Sequence, residues 1–472
     1  MRKTKIVVTI GPSSNSKESV LNLIKSGVDV FRLNFSHGSY ESHKQIINLI
    51  RECAEESSKH VGILQDIAGP KVRIGEIQGQ LDLEYDDELV FVKSNPQAPN
   101  ETTLSYPDVL DELNIGDMIY LYDGTIRVEV TAKEEGKVIT KTLVGGKLTS
   151  RKGVNFPDAK VNIPSLTKKD ISDIIFGIEN GVDFIALSFI KSAQDILSAK
   201  TLIKSHEVEI PIFAKIEKFE AIENLDSIID CSDGIMIARG DLGVEVGFEK
   251  VPKLQKMISY KANQQGKPVI TATQMLTSMI NSPFPTRAEI SDIANAVLDG
   301  TDAVMLSDET AVGKFPIHTV EVLNSTIRDI ETIYPFYKNY NEQSHYNGAV
   351  AASANVLTKN IDTEAIVVFT RSGRSAMDVS VSRPKATIFA NAASAEVCRK
   401  LSICWGVFPA FVMDLSKSPV ELITTFAKEA SKTNLIKQDQ NYIIIIGSKA
   451  NRIGKNRTIR LLKGEDLERL EH

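Results

Sequence analysis

Three charged side chains in the middle of the chain have the types and spacing of a metal-assisted catalytic site. Lys215 and Glu217 lie two residues apart in PIFAKIE, and Asp241 lies in GIMIARGD. Residues two apart in a strand project to the same side, so Lys215 and Glu217 address one cavity, which Asp241 can join from a neighbouring strand. Two carboxylates suit Mg²⁺, and a lysine beside them stabilises a transferring phosphoryl group or an enolate. The alternative is a Lys–Glu ion pair that closes the end of a strand.

Two nearby segments could bind the rest of such a substrate. In GIMIARGDLG, Gly240 and Gly243 let backbone N–H groups approach a ligand closely, so residues 238–241 are candidates for binding a carboxylate. Thr273, in ITATQML, could orient a water or a proton for the methylene carbon of the substrate. A strand-end threonine alone is more often a helix cap, so Thr273 counts only as part of the set.

Eight short, β-branched apolar runs would position these residues. They alternate for the most part with amphipathic helical stretches and begin at Lys5, Val30, Val61, Phe184, Pro211, Gly234, Pro268 and Asp302. This alternation predicts a (β/α)₈ barrel of the TIM type. Polar residues end the strands, namely Arg32, Asn34, Ser36, Asp66, Lys215, Glu217, Arg239 to Asp241, Thr273, Asp308 and Glu309. Enzymes of this fold keep their chemistry at the C-terminal rim, so these strand ends predict an active site there.

The sequence between the third and fourth runs predicts a separate β domain. Residues 71–164 contain short strands and turns, with hairpin signals at Asp123-Gly124 and Glu135-Gly136. We expect a small β-barrel that is inserted in the TIM barrel and could act as a lid over its rim. The TIM barrel then comprises residues 1–70 and 165–335.

Residues 336–472 predict a C-terminal, doubly wound α/β domain with a regulatory loop. Thr370-Arg371-Ser372-Gly373-Arg374-Ser375 follows a strand and opens a helix, so backbone N–H groups and hydroxyls could cradle the phosphate of an effector. The alternative is an ordinary helix N-cap with exposed arginines. The end, Leu470-Glu471-His472, could be the stub of an affinity-tag linker.

Composition and charge exclude several classes of protein. The chain has 472 residues, too many for one core, and a net charge of −6, which offers no footprint for nucleic acid or an anionic membrane. No apolar run approaches the roughly 18 residues of a membrane span, and the N-terminus lacks a signal-peptide cleavage site. Four cysteines without a CxxC pair are typical of buried thiols in a reduced compartment, so we expect a cytoplasmic protein.

Six motifs, in order along the whole chain, resemble those of the pyruvate kinase family. They are FRLNFSHG (31–38), QDIAGPKVR (65–73), RKGVNFPD (151–158), AKIEKFEA (214–221), IARGDLG (237–243) and TATQML (271–276). The set is highly specific, although no single motif is. The resemblance implies the same three-part architecture and the transfer of the phosphoryl group of phosphoenolpyruvate to ADP. It also implies a homotetramer that uses Mg²⁺ or Mn²⁺.

The resemblance assigns roles to individual residues. Lys215 and Arg32 would contact the phosphoryl group, and Glu217 and Asp241 would hold magnesium. The carboxylate end of the substrate would meet Gly240, Asp241 and Thr273, with Thr273 counted among the catalytic residues. The nucleotide phosphates would face Asn34, His37, Arg73 and Lys152. Phosphoryl transfer mostly needs positioning and concentrated positive charge, which these residues supply in an otherwise acidic chain.

Two positions depart from the potassium-dependent members of the family. Those members have a threonine after the third-strand aspartate and a glutamate four residues further on, where this chain has Ile67 and Lys71. Their monovalent cation would lie among residues matching Asn34, Ser36, Asp66 and the carbonyl of residue 67. A lysine ammonium is a compact charge on a flexible stem, so we expect Lys71 to replace potassium. The alternative is a solvated hinge lysine.

The effector region departs from the family as well. The loop GSKANRIGKNRT (447–458) replaces the family's Gly-Ser-Thr-rich phosphate-binding turn, which counts against activation by fructose 1,6-bisphosphate.

Two other functions stay open. One is another metal-dependent enolate enzyme on the same fold, such as a pyruvate-class aldolase or an acyl-CoA lyase, which would need neither the inserted nor the C-terminal domain. The other is a catalytically idle sugar-phosphate sensor, which the complete set of catalytic motif residues disfavours. Pyruvate formation that requires ADP would exclude the aldolase or lyase. Binding of phosphoenolpyruvate without turnover would indicate the sensor.

Overall fold

The computed structural model describes residues 1–157, 159–338, 346–447 and 457–470, and all their side chains except those of 346, 347 and 457. The strands in these ranges are β1 (Lys5–Thr9), β2 (Val30–Asn34), β3 (Gly62–Ile67), β4 (Gln80–Leu83), β5 (Glu88–Val92), β6 (Glu101–Thr102), β7 (Met118–Leu121), β8 (Ile126–Glu134), β9 (Lys137–Val144), β10 (Gly146–Thr149), β11 (Val154–Asn155), β12 (Phe184–Leu187), β13 (Ile212–Ile216), β14 (Gly234–Ala238), β15 (Val269–Ala272), β16 (Ala303–Leu306), β17 (Thr363–Thr370), β18 (Thr387–Ala392), β19 (Val407–Val412), β20 (Asn441–Gly447) and β21 (Arg457–Lys463).

The α-helices of the same ranges alternate with many of these strands. They are α1 (Lys17–Ser26), α2 (Tyr40–Glu56), α3 (Val109–Glu112), α4 (Lys168–Glu179), α5 (Ala193–Ser205), α6 (Phe219–Glu223), α7 (Leu225–Cys231), α8 (Arg239–Val246), α9 (Val251–Gln264), α10 (Arg287–Leu298), α11 (Asp308–Ala311), α12 (Pro316–Ile330), α13 (Tyr346–Asn360), α14 (Arg374–Val381), α15 (Ala395–Leu401), α16 (Pro419–Lys432) and α17 (Gly464–Arg469).

Eight parallel strands close into a barrel in the order β1-β16-β15-β14-β13-β12-β3-β2. Every residue of β1, β3 and β13 is buried, because one face of each strand meets the helices and the other fills the barrel. In β1, for example, Ile6 and Val8 belong to the core that packs against the helices, whereas Val7 belongs to the core inside the barrel. The predicted TIM barrel is confirmed.

Helix α1 illustrates why the connecting segments are helical. Ser16 caps its N-terminus by accepting a hydrogen bond from the backbone of Ser19, and Gly27 ends it in the left-handed region at φ 107°. Its buried residues, Val20, Leu23 and Ile24, recur at helical spacing and pack in the core between the helices and the barrel.

The inserted β domain is present between β3 and α4. Its strands are hydrogen-bonded as a six-stranded sheet, β11-β7-β8-β9-β5-β6, and a two-stranded sheet, β10-β4. Both sheets contribute to one apolar core. Hairpins join β7 to β8 and β8 to β9 at the two predicted turns, where Gly124 and Gly136 have φ of 80° and 73°.

The C-terminal domain has a five-stranded sheet in the order β19-β18-β17-β20-β21, parallel except for β21. Helices α13 and α14 pack on one face of the sheet and α16 and α17 on the other, as a doubly wound fold requires. The first face shares its core with the residues inside the barrel, including Val7 and Phe213. The C-terminal domain therefore packs against the barrel interior.

Among the residues described, no helix is both long and apolar enough to cross a membrane. Cys53, Cys398 and Cys404 are buried free thiols, and Cys231 is a partly exposed one. Most of the loop 447–458, which departs from the family's phosphate-binding turn, lies outside the described residues, together with Asp158 and the last two residues.

Candidate active site at the barrel rim

The candidate site lies where the C-terminal ends of the barrel strands meet. Strands β13 and β14 pair in parallel, with Lys215 opposite Met236. Strand β13 ends at Ile216 and β14 at Ala238, so Glu217 and Asp241 follow neighbouring strands on one rim. The fold thus gathers Lys215, Glu217 and Asp241 from segments that are separated in sequence.

The ammonium group of Lys215 lies among hydrogen-bond acceptors. Its Nζ is 3.1 Å from Asp66 Oδ1 and 3.0 Å from Glu217 Oε1, and it donates to Ser188 Oγ at 2.6 Å. Burial disfavours the charged form, but the carboxylates of Asp66 and Glu217 outweigh it and raise the pKa of Lys215 above its ordinary value. Lys215 is therefore a fixed cation at the rim.

Asp66 connects Lys215 to a second cation, Arg32. Arg32 Nε donates to Asp66 Oδ2 at 2.7 Å, and Arg32 Nη1 donates to Thr9 Oγ1 at 2.8 Å. Burial alone would raise the pKa of the Asp66 carboxyl, but Lys215 and Arg32 hold that pKa below its ordinary value. Asp66 thus holds two cations at fixed positions on the rim, where both could act on one anionic substrate.

Glu217 and Asp241 have the properties of a divalent-cation site. Burial raises the pKa of the Glu217 carboxyl; Lys215 opposes this shift, and the Asp241 carboxylate adds to it. A bound cation would relieve the repulsion between the two carboxylates. In the described part of the chain, no three His, Cys, Asp or Glu side chains converge as a metal site. A cation here would take its other ligands from water and substrate, as Mg²⁺ does.

Lys71 lies at the junction of the barrel and the inserted domain. Its Nζ is 3.3 Å from Asp241 Oδ1 and 3.5 Å from Asp123 Oδ1, on a turn of the inserted domain. Burial lowers the pKa of Lys71, but Asp241 and Asp123 outweigh it and raise that pKa. A Cβ on Gly153 would lie 2.6 Å from Lys71 Cε, so the glycine of the RKG motif makes room for this side chain.

Three of the four residues of the predicted monovalent-cation site, Asn34, Asp66 and Ile67, have oxygen atoms that accept hydrogen bonds from the protein. Asn34 Oδ1 accepts the N–H of Ser36 at 3.1 Å, and the Ile67 carbonyl accepts the Ser188 hydroxyl at 2.6 Å. The Asp66 carboxylate is held by Arg32 and Lys215. Within the described part of the chain, Lys71 forms ion pairs with Asp241 and Asp123, so its ammonium reaches the rim from the side of Asp241.

Gly240 and Thr273 meet at the ends of β14 and β15. The Gly240 N–H donates to Thr273 Oγ1 at 2.9 Å, and Thr273 itself has a left-handed backbone at φ 69°. Arg239, 6 % exposed, donates to the Thr273 and Gln274 carbonyls at 2.8 and 3.1 Å. Arg239 therefore holds the loop of Thr273 in its strained conformation instead of facing a substrate.

The four predicted nucleotide residues are divided between two domains. Asn34 and His37 lie on the barrel rim, and His37 is exposed with its carbonyl 2.9 Å from His43 Nε2. Arg73 and Lys152 lie on the inserted domain, where Arg73 Nη1 donates to the Arg151 carbonyl at 3.0 Å. Lys152 Nζ lies 3.9 Å from the centre of the Tyr122 ring. Within the described ranges, no hydrogen bond or ion pair joins the two barrel residues to the two residues of the inserted domain.

The predicted effector loop follows β17. The Thr370 hydroxyl accepts the Gly373 N–H at 3.0 Å, and Gly373 has φ 86° immediately before α14. Arg371, Ser372 and Arg374 are exposed, whereas Ser375 is partly buried. Val368 pairs with Ile445, so β17 and β20 end on the same side of the sheet. A cavity of about 590 Å³ at the end of β20 is lined by Gly447 and by residues 415–419, 421 and 422.

Sequence reasoning missed Ser188 and Phe189, and it missed the structural role of Arg239. Ser188 contacts Lys215, the Phe189 N–H donates to Glu217 Oε2 at 2.7 Å, and Arg239 anchors Thr273. A signal for the first two was present, because a serine interrupts the otherwise apolar run FIALSFI. The role of Arg239 had no such signal, because the motif ARGD is as compatible with an arginine that binds a ligand as with one that anchors a loop.

Comparison with known proteins covers nearly the whole chain. A family model described as pyruvate kinase, barrel domain, matches residues 1–320, and one described as pyruvate kinase, alpha/beta domain, matches residues 348–462. The pyruvate kinase of Geobacillus stearothermophilus is 40% identical over 99% of this chain and 81% of its own. Pyruvate kinase 2 of a Synechocystis species is 45% identical over 88% and 71%, and the Bacillus licheniformis pyruvate kinase is 40% identical over 98% and 80%.

Proposed function

The chain belongs to the pyruvate kinase family and transfers the phosphoryl group of phosphoenolpyruvate to ADP, giving pyruvate and ATP, and we propose that the rim site performs this reaction. The observation that carries the proposal is the placement of Lys215. Its ammonium lies between Asp66 and Glu217 and near Arg32, which shares Asp66 with it.

Lys215 and Arg32 act on the phosphoryl group. Phosphoryl transfer spreads negative charge over the transferring oxygens, so fixed cations that need no reorganisation stabilise the transition state. Lys215 is fixed by its carboxylate neighbours, and Arg32 is fixed by Asp66 and Thr9. The buried Asp66 thus orients both cations.

Magnesium or manganese would be held by Glu217 and Asp241, while the family generally uses Mg²⁺. When bound, the metal supplies Lewis-acid stabilisation of negative charge on substrate oxygens. Glu217 is oriented for this by the Phe189 N–H, and Asp241 is held by Lys71. The carboxylate end of the substrate would face the Gly240 backbone, Asp241 and Thr273.

Thr273 helps to supply the proton that turns enolpyruvate into pyruvate. Its hydroxyl faces the Gly240 N–H, and Arg239 holds its backbone, so its position relative to the rim is set by two strands. The proton then goes to the methylene carbon of enolpyruvate, either from the hydroxyl itself or from a water that the hydroxyl orients.

The nucleotide binds between the two domains in this proposal. Asn34 and His37 on the barrel, with Arg73 and Lys152 on the inserted domain, would contact its phosphates when the inserted domain closes as a lid. We divide the chain accordingly into the barrel (1–70 and 165–335), the lid (71–164) and a regulatory domain (336–472).

Lys71 replaces potassium in this proposal. The lysine is a cation beside Asp241, and within the predicted cluster the oxygen atoms of Asn34, Asp66 and Ile67 accept hydrogen bonds from the protein. A monovalent ion is then not needed to balance the charge of the rim.

Regulation and assembly complete the proposal. An anionic or sugar-phosphate effector would bind at residues 370–375, supported by the turn that precedes α14 and by the exposed Arg371 and Arg374. The protein would form a homotetramer and work in the cytoplasm, where the enzymes of glycolysis act. Soaking with sulfate or sugar phosphates should place an anion on this loop, and an empty loop with indifferent kinetics would contradict the effector site.

The catalytic proposal is tested by an assay that couples pyruvate formation to a second enzyme. Activity should require both ADP and a divalent cation, and an aldolase or lyase would instead act without ADP. Lys215→Met should lower kcat by about a hundredfold or more with little change in the phosphoenolpyruvate KM. A kcat within a few-fold of wild type would show that Lys215 does not stabilise the transferring group.

A further inference from the structure

Ser188 is a buried hydroxyl at the centre of the charged rim. It follows the end of β12 and is 5 % exposed. Its Oγ is 2.6 Å from the Ile67 carbonyl, 2.6 Å from Lys215 Nζ and 3.4 Å from Asp66 Oδ1. A hydroxyl has one hydrogen, and the short contact with Ile67 directs it to that carbonyl, so the oxygen lone pairs face the ammonium group.

Lys215 has as many close acceptors as it has N–H bonds. An ammonium group donates three hydrogen bonds, and the acceptors are Asp66 Oδ1 at 3.1 Å, Glu217 Oε1 at 3.0 Å and Ser188 Oγ at 2.6 Å. Two of these are carboxylates, and Ser188 is the neutral one. The bond to Ser188 is charge-assisted, because its donor is an ammonium group, and at 2.6 Å it is the shortest of the three. Ser188 therefore fixes the direction of one N–H bond without adding negative charge beside the substrate.

The turn that begins at Ser188 also fixes Glu217. Phe189 has a left-handed backbone at φ 55°, and its N–H donates to Glu217 Oε2 at 2.7 Å. A non-glycine residue in this region costs free energy, and such strain persists where the surrounding contacts over-determine it. Ser188 and Phe189 thus hold the lysine and the carboxylate from one short segment.

We propose that Ser188 is a positioning residue that holds the Lys215 ammonium between Asp66 and Glu217. In the reaction, Lys215 keeps these three bonds and acts on the transferring phosphoryl group through its fixed charge, and Ser188 prevents the ammonium group from shifting toward the carboxylates. Ser188 therefore acts through Lys215, and the inference rests on the proposed role of that lysine.

The first test is the variant Ser188→Ala. It removes one acceptor of the ammonium, so kcat should fall by about tenfold or more while the phosphoenolpyruvate KM changes little. Ser188→Cys, with a weaker acceptor of similar shape, should give an intermediate kcat. The matched control is Ser232→Ala, another buried serine whose hydroxyl donates to a backbone carbonyl, Ile229 at 3.2 Å, but which precedes β14 at the opposite end of the barrel. Its kcat should stay within about twofold of wild type.

A double-mutant cycle separates this inference from the proposal it rests on. If Ser188 acts through Lys215, Ser188→Ala should lower kcat in wild type and have no further effect in a Lys215→Met background. Equal effects in both backgrounds, or a wild-type kcat in Ser188→Ala, would overturn the inference. A Lys215→Met enzyme with near-normal kcat would instead overturn the role of the lysine. If Ser188→Ala fails to fold, Ser188→Cys carries the same cycle.

Discussion

Arg383 joins the C-terminal domain to the bottom of the barrel, and its removal should destabilise the protein strongly. The guanidinium is 2 % exposed and donates to Asp302 Oδ1 at 2.8 Å and Oδ2 at 3.0 Å. It also donates to Asn263 Oδ1 at 2.8 Å and the Gly300 carbonyl at 2.9 Å. Arg383→Met leaves the Asp302 carboxylate buried beside fewer donors, because only backbone N–H groups such as those of Val269 and Trp405 remain.

The size of the effect follows from this burial. Removing one partner of a buried ion pair lowers the free energy of unfolding by about 3–5 kcal/mol, because the remaining charge stays buried without a counter-charge. With a urea dependence of about 3 kcal/mol per molar for a chain of this size, the first unfolding midpoint should fall by roughly 1 M or more. The assay has a built-in probe, because Trp405 is the single tryptophan, is fully buried, and lies 5.0 Å from the Arg383 guanidinium.

The control removes a similar charge from an exposed pair. Lys437 and Glu364 form an ion pair of 2.7 Å on the surface of the same domain, and Lys437→Met should cost less than about 1 kcal/mol. A tryptophan-detected midpoint for Arg383→Met within about 0.2 M of wild type would refute the reasoning, because the buried pair would then contribute no more than the exposed one.

Other contacts lead to measurable changes in cation dependence and pH dependence. Glu217→Gln should shift the Mg²⁺ titration of the rate to roughly tenfold higher concentration or more, and an unchanged titration would exclude Glu217 as a ligand. The wild-type rate should be the same when a bulky organic cation replaces potassium, whereas Lys71→Glu should make the rate depend on potassium; a many-fold potassium activation of wild type would contradict this. Burial lowers the pKa of Lys3 from 10.5 to about 7. Between these pH values the unfolded chain binds more protons, so the wild-type unfolding free energy should rise with pH relative to Lys3→Met. If the unfolding free energies of wild type and Lys3→Met changed in parallel with pH, the predicted contribution of Lys3 would be wrong.

The barrel was predictable from the sequence because its strands are buried on both faces. An apolar, β-branched run such as KIVVTIG has few alternatives to a parallel strand between helices, and polar residues at its C-terminal end then lie on the functional rim. The doubly wound domain followed from the same alternation. The predictions of the barrel and of the doubly wound domain use only local composition and periodicity, which can be taken directly from the sequence.

The contacts between distant segments were not predictable, because local pattern does not encode them. Arg383 lies in the segment SRPK before a strand, and the neighbouring residues do not indicate that its partner is Asp302, 81 residues away. Ser188 reads as a strand-end serine until β12 and β13 pair and bring its hydroxyl to Lys215. Such residues act through pairing register and packing, so they appear only when the fold is assembled.

Lys71 is a further residue whose contacts with distant segments could not be predicted, and these contacts change how it could replace potassium. From the sequence its ammonium should lie in the cluster of Asn34, Ser36 and Asp66, but in the fold it bridges Asp241 on the barrel and Asp123 on the inserted domain. A cation at this junction acts on both domains, because opening of the inserted domain would withdraw Asp123 from it. In the proposed role of Lys71 as the replacement for potassium, the charge of Lys71 is coupled through Asp123 to the position of the inserted domain. Potassium independence and lid closure should therefore change together when Lys71 is altered, and Asp123→Asn should perturb the lid without creating a need for potassium.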